Sequence, residues 1–142
     1  MSEESENTQP AANQMVTKII WGALTFSQLI YLVVAFFVVE PPEQPPEQIM
    51  SIIFFGIGCS NIALGVFGVE KFVPVKDLGT YTTQHIIKWA VIESGVIFGL
   101  VSKFQGGPDA VMIGLYVLAL LGMLKTFPKE YVPQTDSNSE EG

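Results

Sequence analysis

The chain has 142 residues, 49% of them hydrophobic and only 15% charged, with 14 acidic side chains against seven basic ones, all lysine. That charge content is well below the roughly 25% of an ordinary soluble domain, and the mean hydropathy of +0.40 points the same way. A net charge of −7 without a basic cluster excludes a nucleic-acid binder, and the single Cys59 excludes an internal disulfide framework.

Residues 1–14 are polar and acidic (Glu3, Glu4, Glu6, Asn7, Gln9), too poor in apolar groups to offset chain entropy, and are predicted to form a disordered tail. The start is acidic, whereas a secretory signal needs a basic one, so the first apolar block is expected to remain as an uncleaved helix. Four apolar blocks follow, at about 15–39, 49–69, 81–104 and 108–125. Each approaches the roughly 20 residues that carry a helix across a hydrocarbon core of about 30 Å. The expected fold is therefore all-α, a four-helix transmembrane bundle of two hairpins spanning 15–127, with a second acidic tail over 128–142.

The punctuation agrees with four spans. A tandem PPEQ over 41–48 stops the first helix in an extended, polyproline-like turn. The loop after the second block holds Pro74 and Gly79, and Gln105-Gly106-Gly107-Pro108-Asp109 makes a compact turn whose Asp109 caps or leads the fourth helix. Lys18, Lys71, Lys76, Lys125 and Lys129 flank one set of helix ends, and only Lys103 flanks the other. Lysines are retained on the cytoplasmic side, so both termini are expected there, in the cell inner (cytoplasmic) membrane. Lys88 is expected to snorkel outward at that interface, where Trp21 and Trp89 are also predicted to lie.

An ionisable group within a span is costly, about 2.5–3.5 kcal/mol at mid-helix on insertion scales, which makes Glu93 the leading candidate site residue. Gln28, Ser60, Asn61 and Tyr116 fall at comparable depth on the other helices and could converge on it as one hydrogen-bonded cluster. Such a cluster serves either as an ion or proton path or as a polar lock between helices. Gly58, Asn61, Gly65 and Gly68, spaced three, four and three apart, lay small residues along one stripe of the second helix, and Gly95 and Gly99 do so on the third. Glu93 lies opposite the Gly95–Gly99 stripe, which gives the third helix two distinct interfaces.

His85 and Cys59 sit on different helices and do not make up a metal set, which needs about three protein ligands. His85 is expected to be interfacial and Cys59 a packing residue. Catalytic and cofactor fingerprints such as GxSxG, HExxH and the P-loop are absent, so neither enzyme activity nor a cofactor is expected. A shift of 67 positions aligns Ile19, Ile20, Ala23, Ser27, Ile30, Val34 and Phe37 with identical residues of the third block, through duplication or through the small alphabet of apolar helices.

The run Ala90-Val91-Ile92-Glu93 followed by Ile97-Phe98-Gly99-Leu100-Val101 resembles the carboxylate helix of rotary ATPase proteolipid (c) subunits. The resemblance covers about 16 residues and implies that Glu93 would be an ion-binding carboxyl. As a whole the chain is similar to small four-helix bacterial integral membrane proteins without an assigned activity. The expected function is that of a non-enzymatic multi-pass protein, an accessory subunit or a self-associating bundle. Its expected partners are the lipid bilayer and either its own copies or the subunits of a membrane complex. The alternative is a proton or cation pathway component using Glu93 with Gln28, Asn61 and Tyr116.

Overall fold

The computed structural model describes residues 8–40, 43 and 48–131, with side chains from Gln14 onward. The predicted tails over 1–7 and 132–142, and most of the PPEQ turn, lie outside the described residues. Among these the chain is all-helical and contains no strand. It forms four helices: α1, Thr8–Phe37; α2, Gln48–Phe72; α3, Leu78–Phe104; and α4, Asp109–Lys125. The first three are long and apolar enough to cross a membrane. The fourth has 17 residues, about 25 Å of helix, and its termini are set by a Pro108 N-cap and the Thr126 C-cap.

Two helices begin earlier than apolar content predicts. α1 starts at Thr8 within the expected tail, because Pro10 is tolerated in a first turn and Ala11 and Ala12 favour helix. α3 starts at Leu78 because Asp77 and Thr80 form a capping box. The Thr80 amide donates to Asp77 Oδ1 at 2.7 Å, and the Asp77 amide donates to Thr80 Oγ1 at 2.9 Å. The Thr80 amide, and its hydroxyl 3.0 Å from Oδ1, hold the Asp77 carboxyl below its usual range. A depressed carboxylate stabilises the fold above its unfolded pKa and loses that contribution as pH falls through the folded one. Amide protection over Leu78–Tyr81 is therefore expected to hold at neutral pH and fall below about pH 4, and to be low at every pH in Asp77→Ala. Hydrogen exchange at several pH values checks this, and protection that ignores pH would contradict it.

At its far end α3 closes on a Schellman turn, in which the Gly107 amide donates to Ser102 O at 2.8 Å and the Gly106 amide to Lys103 O at 2.9 Å. Gly106 takes φ 78°, a conformation that disfavours other residues. Lys103 pairs with Asp109 across the turn, so Asp109 leads α4.

The packing centres on α3, which touches all three other helices, whereas among the described residues the backbones of α1 and α2 do not approach each other closely. Accordingly 44% of the apolar span of α3 is buried within the chain, against 11% for α1. Thr17 meets Thr82, and Ser27 meets Glu93, so α1 and α3 run side by side in the same direction. The core is Ile62, Trp89, Ile92, Val96, Met112, Leu115, Ala119 and Met123, joined by Ala35. Large apolar side chains such as Phe26, Phe37, Ile49, Ile52 and Phe67 instead point outward, as suits a lipid-facing surface.

Glycine sets the tightest crossing. A Cβ on Gly95 would lie 2.8 Å from Gly58 O, and one on Gly58 would lie 3.0 Å from Gly95 O, so the two backbones meet directly. Further along, Gly65 sits against Lys88 O, and Gly99 packs on Met112 and Leu115 of α4. Gly68 departs from the expected stripe. Residues Leu64–Gly68 form a π turn, whose extra residue carries Val69 to the buried face and leaves Gly68 against Leu64 of its own helix.

Candidate functional site

Glu93 lies at mid-length on α3, partly buried, and faces α1. The Ser27 hydroxyl has two acceptors within reach, Leu24 O at 2.7 Å and Glu93 Oε1. The Tyr31 phenol, one turn further along α1, lies near enough to feel the charge of this carboxylate. The spacing of Ser27 and Tyr31 at i and i+4 puts both on the same α1 face, opposite the carboxyl. The site is thus a carboxylate bonded by the Ser27 hydroxyl, with the Tyr31 phenol close by on the same helix.

The remaining polar candidates occupy separate places. Asn61 donates from Nδ2 to Ser94 Oγ at 3.0 Å, and Ser94 in turn donates to Val91 O at 2.6 Å, which ties α2 to α3. Ser60 is exposed and bonds back to Gly56 O. Tyr116 packs against the apolar core from α4. Gln28 is fully buried, and neither of its amide atoms has a hydrogen-bond partner among the described residues. The expected single cluster is therefore replaced by two polar pairs, Ser27–Glu93 and Asn61–Ser94, on neighbouring positions of α3. Ser27 and Tyr31 are the partners that sequence reasoning misses. Ser27 stands out as one of few polar interruptions of the first block, but its direction depends on which helix packs beside it.

At 100° per residue, Thr83, Ile87, Ala90, Ile97 and Phe104 form one ridge of α3, and of these Ile87, Ala90, Ile97 and Phe104 are the exposed apolar members. Glu93 and Ser94 lie on opposite flanks of that ridge. The ridge therefore runs between α1 and α2, with a polar pair on either side at mid-span and the small Ala90 in between.

A second polar region lies at the ends of the helices. Lys88 is largely buried and reaches toward the helix ends, where its ammonium pairs with the exposed Glu70 near the end of α2. Trp89 is the largest fully buried side chain among the described residues. Its indole donates to Thr126 O at 3.2 Å, and that of Trp21 donates to Met123 O at 3.0 Å. Both carbonyls end α4, where helical partners run out, and this demand draws the indoles inward. His85 is buried, with Nδ1 3.0 Å from Tyr81 O, and its ring lies between those of Tyr81, tilted, and Trp89, edge-on. Cys59 is a free thiol packed against the core. No group of three or more metal-ligating side chains occurs among the described residues.

No protein-family model, curated protein or solved structure matches the chain.

Proposed function

We propose that this chain is a non-enzymatic, multi-pass protein of the cell inner membrane, with all four helices inserted and both termini cytoplasmic, and that it works as a subunit of a membrane assembly. The assembly is joined along the α3 ridge between α1 and α2. The observation that carries this reading is the partial exposure of Glu93 and Asn61 beside that ridge. A mid-span carboxyl and carboxamide that their own chain leaves partly uncovered are costly in lipid, and a helix seated on Ala90 would cover them. The lysine distribution supports the orientation, and the apolar exterior supports insertion.

Glu93 also supports a second reading, a proton or cation pathway component, because its carboxyl sits at mid-span within reach of two hydroxyls. Gln28, Asn61 and Tyr116 give that reading less support, since Asn61 bonds Ser94 and Tyr116 packs in the core. Glu93→Gln separates the two. In a subunit lock, the substituted carboxamide retains the hydrogen bond to Ser27, so native mass spectrometry is expected to show the wild-type oligomer and the deletion phenotype to be absent. In a pathway, the carboxamide cannot release a proton, and the phenotype equals that of deletion. Ala90→Trp places bulk on the ridge and is expected to disperse the assembly. An unchanged complex would remove the subunit reading.

A further inference from the structure

The end of the molecule holds a cleft of about 410 Å³ that the proposed assembly does not use. Its walls come from three places: Glu70 of α2; Gln84, His85 and Lys88 of α3; and Lys125 with Lys129 beyond the core of α4. The walls are tied in place. Gln84 Nε2 donates to Val73 O at 2.6 Å, which closes the loop over α3, and the Tyr81 hydroxyl donates to Lys129 O at 2.6 Å, which draws the C-terminal segment across.

The charge here is unusual for this chain. The whole protein carries −7, yet the cleft is lined by three lysines against Glu70 and Glu130. The Lys88 side chain is only 6% exposed, while its partner Glu70 is 63% exposed at the rim. A buried ammonium thus depends on a carboxylate that water can draw away. Lys125, lying over the Phe67 ring at 4.0 Å, and His85 both act electrostatically on that same carboxylate.

From this arrangement we infer that the cleft binds a phosphate ester, whose oxygens displace Glu70 from Lys88 and are also reached by Lys125 and Lys129. Phosphate offers several charged acceptors to the three ammonium-bearing side chains that line the cleft, which a single carboxylate does not. The cleft volume is within the range of small-molecule sites and exceeds what a bare phosphate needs. The ester comes either from an anionic lipid headgroup, given the placement proposed above, or from a soluble phosphate compound. The chemistry at the three lysines is the same in both.

The test uses the full chain purified in a neutral detergent and titrated with dioctanoyl phosphatidylglycerol, dioctanoyl phosphatidylcholine and glycerol 3-phosphate, read by native mass spectrometry and thermal shift. Phosphatidylglycerol is expected to bind about tenfold more tightly than phosphatidylcholine, and more weakly as salt is raised. Lys125→Gln and Lys88→Met are each expected to weaken it by about tenfold. Glu70→Gln, which removes the competitor, is expected to strengthen it, and Lys18→Gln, on α1, to leave it unchanged. Binding of glycerol 3-phosphate with the same variant pattern assigns a soluble ligand, and this arm holds even if the membrane placement fails. Binding of the lipid alone assigns a headgroup. No preference for phosphatidylglycerol together with no glycerol 3-phosphate binding overturns the inference. So does a preference that survives both Lys125→Gln and Lys129→Gln, rim substitutions that leave the core intact.

Discussion

Glu70→Ala is expected to destabilise the protein by about 3 kcal/mol, whereas Lys88→Met costs less than about 1.5 kcal/mol, although both remove the same ion pair. The asymmetry follows from burial. Lys88 is largely buried in the cleft wall, so loss of Glu70 leaves a desolvated ammonium, with Lys125 and Lys129 nearby, without its counter-charge. Glu70 is exposed, so loss of Lys88 leaves a carboxylate that water solvates at little cost. Methionine refills the buried path of the lysine stem with an unbranched apolar chain. The double variant is expected to return to the level of Lys88→Met alone. Unfolding in detergent, followed by the fluorescence of Trp21 and Trp89, measures all three. Equal costs for the two single changes would show that Lys88 does not depend on Glu70.

The crossing of α2 and α3 carries the second large effect. Gly95→Ala places a methyl 2.6 Å from Ile62 Cγ1 and 2.8 Å from Gly58 O. Ile62 can shift its side chain, but the Gly58 carbonyl belongs to a helix backbone and moves only if the helices separate. The expected cost is about 1–3 kcal/mol, the range for overpacking a tight core. Gly22→Ala is the matched control. A Cβ there meets nothing within 4 Å, and alanine in mid-helix is favoured over glycine by about 0.5–1 kcal/mol. One Gly→Ala change should therefore destabilise and the other stabilise, in the same unfolding assay. Effects of the same sign at both sites would contradict the direct backbone contact between Gly58 and Gly95.

The Gly58 and Gly95 contact can be anticipated, because small residues at helical spacing mark where backbones approach, whatever the partner. The partner of Lys88 cannot. Its position near a helix end makes a reach toward that end the natural expectation, but that Glu70, 18 residues away, meets it there is set by packing. Trp89 behaves alike, since the carbonyl of Thr126 that holds its indole lies 37 residues on. Gly68 shows a subtler failure. A constant 3.6-residue period carries the stripe through Gly68, and the π turn over Leu64–Gly68 breaks that period before the stripe ends.

Composition and periodicity alone thus determined that the chain is helical, where its apolar stretches lie, that its exterior is apolar, and which residues share each helix face. Those properties depend on neighbours three or four positions away, within one helix. The tertiary structure decided that α3 sits between α1 and α2, that Glu93 meets Ser27 and Tyr31 while Asn61 meets Ser94, and that Lys88 closes on Glu70. Each is a choice of which face meets which helix. The helical period states that a face exists, but the energy that selects its partner comes from side chains that meet only when the helices pack.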